Sequence, residues 1–214
     1  MRHGFGLDIP ENLADVCDPA RMALVIYDMQ AGIVGQLPDG PEIVARVGRL
    51  LGAARRGGYR VFFTRHMSLP ANLSGVMQLR TAMAWQQVGN VDEVRPWFLR
   101  DSPGFPIVPE LAPRPDEAIF DKITMSAFEG TPLNIALRDC GIVAFAIAGI
   151  ALEIGIGPSV WHGADLGFVP VVVTDACGGR DQIAQKRVLD AMEFAGDTML
   201  TDLDTITRLL TRNP

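Results

Sequence analysis

Cysteine is scarce in this chain: Cys17, Cys140 and Cys177 are the only three in 214 residues. They are too few and too scattered for a disulfide framework, and no C-x-x-C spacing exists to hold a metal. A reducing cytoplasm is the expected setting. Long hydrophobic runs are missing too, since the longest, Gly141 to Leu152, falls short of the ~20 residues that a membrane span needs. The stretch Met1 to Asp18 is broken by Asp8, Pro10, Glu11 and Asp15 and lacks the apolar centre of a secretory signal. Positive charge is in deficit as well. A net charge of −6 and a pI near 5.0 leave no general attraction for phosphate backbones or anionic lipid, which argues against nucleic-acid and membrane partners. The pair Arg55-Arg56 reads as a solvated helix surface.

What the chain does have is an ordinary globular composition, 48% apolar and 21% charged, in a length that suits one large domain. Apolar runs of strand length alternate with stretches of helical period, the mark of an α/β fold with a doubly wound parallel sheet covered on both faces. The expected strands are Met22 to Tyr27, Tyr59 to Thr64, Glu117 to Phe120 with Asp121 and Lys122 at its end, Val143 to Ile150, Val169 to Thr174, and Asp197 to Leu200. These six fill one sheet.

Pro41 to Arg56 carries Ile43, Val44, Val47, Leu50, Leu51 and Ala54 at amphipathic helical spacing, and Gly57-Gly58 stops it. Thr131-Pro132 reads as an N-cap followed by proline, opening a helix to Asp139. Asp181 caps Gln182 to Ala195, expected to bury Ile183, Val188, Met192 and Phe194. Leu203 to Leu210 forms a last short helix. Residues 1–20 are an N-terminal extension. Residues 68–116, broken by seven prolines, are an irregular insertion that covers a site or builds an interface, with room for one helix over Gly75 to Gln87.

In open parallel sheets a ligand sits beyond the carboxyl ends of the strands, where the winding reverses. Asp28 ends the first strand, Lys122 the third, and the turn Gly149 to Gly157 follows the fourth. A reversal between strands one and four would bring all three together. Taken singly, Asp28 is also a strand-end cap and Lys122 its surface partner. The turn's glycines do not form a dinucleotide loop, because the third glycine and a ribose-binding acid are absent.

The segments "ALVIYDMQ" (23–30), "DKITMSAFEGTPL" (121–133) and "AGIALEIGIGPSVWHGADLGFVPVVVTDA" (148–176) resemble those of the isochorismatase-like, or cysteine hydrolase, superfamily. The likeness spans Met22 to Leu200, and the ordered set of three motifs is far more specific than any one. It implies a six-stranded parallel sheet and a site of Asp, Lys and Cys, with Asp28 and Lys122 at the first two positions. The Cys position falls on Gly155, which has no side chain to attack with. Covalent thiol catalysis is therefore not expected. Cys140 lies at the far edge of the sheet, and Cys177 one strand away from the site.

Isochorismatases of this superfamily open a vinyl ether by protonation and water addition, chemistry that needs an acid and no nucleophilic side chain. That is the favoured expectation, with Asp28 as acid or base acting on a small, carboxylate-bearing substrate. An amide or ester hydrolase using an Asp28-activated water is the alternative, and a catalytically silent binding or assembly homologue is the third. A pocket with Asp28, Lys122 and room for water favours hydrolysis, whereas one plugged by Trp85 or Phe128 favours the silent homologue.

The resemblance further implies a non-proline cis peptide at Ile150-Ala151, an oxyanion or carboxylate site at the N–H groups of Ala151 and Gly155, and Phe128 as a pocket wall. Gln30 is either a pocket hydrogen-bonding residue or a turn residue. His66 ends strand two beside Asp28 as a substrate-binding candidate; as a lone His it makes a poor metal site, so no metal and no other cofactor is expected. Glu153 reads as a helix-start acid or a second base. Arg80 and Trp85 lie in the insertion, where one clamps a substrate or both serve the helix surface or the core, and His162 and Trp161 read as packing or interface residues. Homo-oligomerisation, as dimer or tetramer, is expected from the likeness.

Overall fold

A computed structural model describes residues 1–212. A hairpin of β1 (Arg2–Gly4) and β2 (Leu7–Ile9) precedes the short helix α1 (Leu13–Val16), which is closed by a capping box between Asn12 and Asp15. Then come β3 (Met22–Tyr27), α2 (Ala31–Val34), α3 (Gly40–Arg56), β4 (Arg60–His66), α4 (Val76–Gln86) and β5 (Ala118–Lys122). The second half contains α5 (Leu133–Asp139), β6 (Ala144–Ile150), α6 (Gly157–Asp165), β7 (Val169–Gly178), α7 (Gln182–Ala195), β8 (Met199–Thr201) and α8 (Leu203–Leu210).

The sheet is parallel throughout, in the order β5-β4-β3-β6-β7-β8. The chain builds outward from β3 to β5, returns to lay β6 against the other side of β3, and builds outward again. The reversal thus falls between β3 and β6, as the sequence pattern required.

Alternation along β3 explains the two-sided core. Met22, Leu24 and Ile26 join α3 and α8 on one face, while Ala23, Val25 and Tyr27 join α5, α6 and α7 on the other. Every residue of β3 and β6 is buried, the pattern of a strand covered on both sides.

Several boundaries differ from expectation. β7 continues four residues past Thr174 to Gly178, its register with β6 shifting between Ile147 and Gly149. Proline 132, expected as the first helical residue, instead stands at the cap of α5; Thr131 Oγ1 accepts from the Leu133 N–H at 3.2 Å. Asp181 does cap α7, accepting from the N–H groups of Ile183 and Ala184. Only Met192 of that helix is buried, however; Val188 is half-buried against the core, and Ile183 and Phe194 are exposed. Arg55 is not a solvated surface cation. Its guanidinium makes two 2.7 Å bonds to the carboxylate of Glu117 and also reaches the carbonyls of Leu111 and Ala112, tying α3 to the segment before β5. No helix among the described residues is long and apolar enough to cross a membrane.

Candidate active site

At the carboxyl edge of β3 the chain turns through Asp28, which adopts the left-handed region at φ 47° and is 3% exposed. Aspartate is among the few residues that tolerate this conformation, and it directs the carboxylate across the strand ends. Both oxygens are engaged by donors. Thr64, on β4, donates its hydroxyl to Asp28 Oδ1 at 2.6 Å, and Lys122, the last residue of β5, donates Nζ–H to Oδ2 at 2.6 Å.

Lys122 Nζ also donates to the Tyr27 hydroxyl at 2.9 Å and to the Thr124 carbonyl at 3.1 Å. An ammonium has three hydrogens, so all three are in use. The Nζ stands 4.3 Å from the centre of the Tyr27 ring, a cation-π contact in a site shielded from water. Burial pulls the Lys122 pKa below its usual value, and the adjacent Asp28 carboxylate works against that shift. Tyr27 hydrogen-bonds onward to the Met125 carbonyl, and burial holds its phenol well above the usual range. Asp28, Thr64, Lys122 and Tyr27 therefore form one network in which Lys122 orients and balances charge from behind.

Tyr27 has a second contact. Gly155 lies in the π-helical turn Leu152–Ile156 that leads into α6, and a Cβ built on it would fall inside the Tyr27 ring and hydroxyl. No L side chain fits at 155 while Tyr27 keeps its place. The turn also spends the Gly155 N–H, which donates to the Ala151 carbonyl at 3.0 Å; the expected pair of free donors is thereby reduced to Ala151 alone. The Ile150-Ala151 peptide is cis, as the resemblance implied.

A cavity of about 120 Å³ opens over this network, lined by Tyr27, Asp28, His66, Ala151, Gly155 and Arg180 together with the aromatic rings of Trp85, Trp97 and Phe98. Its floor is the expected strand-edge cluster. His66 packs edge-on against Phe98, and burial lowers its pKa below the ordinary 6.5, with Asp28 pushing up and Lys122 down. The exposed Arg180 follows β7; its side chain makes no ion pair among the described residues, so it offers a free positive charge at the wall.

Other expected site residues lie elsewhere. Gln30 is fully buried beneath the cavity: its Oε1 accepts from His66 N–H at 2.6 Å, and its Nε2 donates to the carbonyls of His66 and Phe105. It fastens the insertion to the ends of β3 and β4 rather than facing a ligand. Phe128 stacks among Phe145, Phe168 and His162 in the core, because the turn after β5 folds its ring inward. Arg80 is exposed on α4 and does not line this cavity.

Glu153 Oε1 accepts from the N–H groups of Arg180 and Asp181, a loop-fastening role that leaves Oε2 buried without a partner. Cys177 is buried in β7, donates to the Val173 carbonyl, and has its thiol pushed up to about 12 by burial, so it is no source of thiolate at neutral pH. Trp85 forms part of the wall without plugging the cavity. No group of three or more His, Cys, Asp or Glu among the described residues is placed to hold a metal.

Sequence reasoning missed Thr64, Arg180 and the neighbour role of Tyr27. Thr64 sits at the carboxyl end of the expected second strand, which was a usable signal. Arg180 lay beyond the expected end of the fifth strand, and only the extension of β7 carries it to the site.

Comparison with known proteins adds an independent line. A profile described as "Isochorismatase domain" matches residues 22–203. The chain is 27% identical over 192 residues to the ureidoacrylate amidohydrolase RutB of Methylobacterium radiotolerans, covering 82% of this chain and 74% of that protein. Among solved structures, an isochorismatase family protein from Desulfovibrio vulgaris matches with a TM-score of 0.74 at 25% identity, over 89% of this chain and 98% of the other. A cysteine hydrolase from Pseudomonas syringae pv. phaseolicola shares the fold with a TM-score of 0.75 at 22% identity, over 90% and 93% of the two chains.

Proposed function

The chain belongs to the isochorismatase family, and from that premise we propose that it is a hydrolase that works without a cysteine, using Asp28 to activate water against a small amide or ester. One observation carries the reading. The position that the sequence resemblance assigns to the nucleophile, Gly155, is occupied in space by Tyr27, and none of the three cysteines lines the cavity. The floor keeps a carboxylate, and the cavity has room for solvent, which supports chemistry over a silent homologue.

Both oxygens of Asp28 stand as hydrogen-bond acceptors, from the Thr64 hydroxyl and the Lys122 ammonium. An acceptor held in this way suits a base, whereas the vinyl-ether reading needs a proton donor at the same position. In the proposed cycle Asp28 takes a proton from water as the hydroxide adds to the carbonyl carbon. The tetrahedral intermediate collapses with breaking of the C–N or C–O bond, and Asp28 returns its proton to the leaving nitrogen or oxygen. Lys122 stays protonated throughout as a positioning charge. The amidohydrolase name of the Methylobacterium relative agrees with the amide version.

The test is a panel of small amides, esters and vinyl ethers, with ammonia, alcohol and pyruvate read separately. Ammonia or alcohol release that disappears in Asp28→Asn supports the reading. Pyruvate release alone would transfer the site to vinyl-ether chemistry.

A further inference from the structure

A second cavity of about 540 Å³ adjoins the small one, built by α4, the loops on either side of it and residues 123–125. His66, Trp85, Trp97, Phe98 and Met125 line both, so the chambers share one aromatic wall. The large chamber has the size of a small-molecule site, whereas the small one is below that range. Its lining is mainly apolar, and several of its polar groups are held by the wall itself. Arg95 donates from Nη1 to the carbonyls of Asp92 and Val94, Gln86 pairs with the Arg95 main chain, and Ser68 and Ser74 bond to neighbouring backbone. Methionines 67, 77 and 125 give it an adaptable surface.

Resting on the hydrolase reading, we infer that the substrate is an amphiphilic carboxylate whose polar, reacting end lies over Asp28 with its carboxylate on Arg180, and whose apolar arm fills the large chamber. Asp28 fixes the reacting end, since it lines only the small chamber, and Arg180, on that chamber's wall and in no ion pair among the described residues, supplies the charge for a carboxylate beside it. The five shared lining residues place the large chamber next to the reacting end and give the arm its direction. The state of α4 agrees, since none of its residues is buried, as expected for a helix whose inner face contacts an apolar ligand.

Calorimetric titration of the full chain with straight-chain carboxylic acids from acetate to octanoate tests this. Affinity should rise about fourfold per added methylene once the chain passes the shared wall. Ala82→Phe, which fills the large chamber, should flatten the series, and Ala84→Phe, on the exposed side of the same helix, should leave it unchanged. Arg180→Ala should weaken every acid by a similar factor and keep the slope. A flat series in the wild type, or a slope that survives Ala82→Phe, overturns the inference; the first result is what a second copy of this chain sealing the chamber would give. Asp28→Asn should keep the slope, so turnover persisting in that variant would defeat the hydrolase reading without touching this one.

Discussion

Tyr27 fills the space in front of the Gly155 Cα that any side chain at that position would need. The two residues are 128 positions apart in the chain but meet where β3 ends beside the turn after β6. Gly155→Cys should therefore fail as a simple restoration of a nucleophile. Overpacking at this contact is expected to destabilise the fold by about 1–3 kcal/mol, and the new thiol should react slowly with an aromatic disulfide reagent. Adding Tyr27→Ala should expose the thiol at a further cost in stability, because Lys122 loses its phenol partner and a cavity opens. Denaturant melts and thiol titration of the three variants check this.

The buried pair of Asp28 and Lys122 should behave as a unit. Lys122→Met leaves Asp28 with an uncompensated charge and is expected to cost about 3–5 kcal/mol of stability. Combining it with Asp28→Asn should cost much less than the sum of the two single changes, because neither charge is then stranded. Urea unfolding of the double-mutant cycle reads the coupling, and additive losses would mean that the ion pair contributes nothing.

Thr64→Val removes the donor on Asp28 Oδ1 while nearly conserving volume. A loss of about 1–3 kcal/mol is expected for the unpaired buried oxygen. On any substrate found, kcat should fall with little change in KM, since Thr64 orients the base and does not line the cavity.

Acid should weaken the protein through His66. Its folded pKa lies below the 6.5 of the unfolded chain, chiefly because of burial. Between those two values the unfolded chain binds the proton more readily, so stability is fully present above about pH 6.5 and is lost as pH falls through the folded pKa. His66→Gln should remove that component. Unfolding free energies of both proteins at pH 7.5 and 5.5 should converge toward the acid side, and parallel pH curves would show that His66 is not the group responsible.

Much of this was legible in the chain because it depends on local pattern. The unbroken apolar run of β3, helical spacing in α3 and the Asp181 cap are written in neighbouring residues, and the meeting of Asp28, Lys122 and the turn holding Gly155 at one sheet edge follows from the winding rule. What was not legible depends on reach. Nothing beside Tyr27 in the sequence says that its ring crosses to Gly155, that Gln30 spends both polar ends on the backbone of β4 and the insertion, or that Phe128 turns into the core. The length of β7 was hidden by Asp175 and by Cys177 and Gly178, weak strand residues by composition, and with it the position of Arg180.

The central claim is that hydrolysis proceeds through Asp28 and water with no part played by a thiol. The most direct measurement compares ammonia release from the amide panel by a cysteine-free variant (Cys17→Ala, Cys140→Ser, Cys177→Ala) and by Asp28→Asn. The cysteine-free protein should retain turnover within about twofold, and Asp28→Asn should lose on the order of 10²–10⁴ in rate. Turnover lost with the cysteines and kept without the Asp28 carboxylate would contradict it.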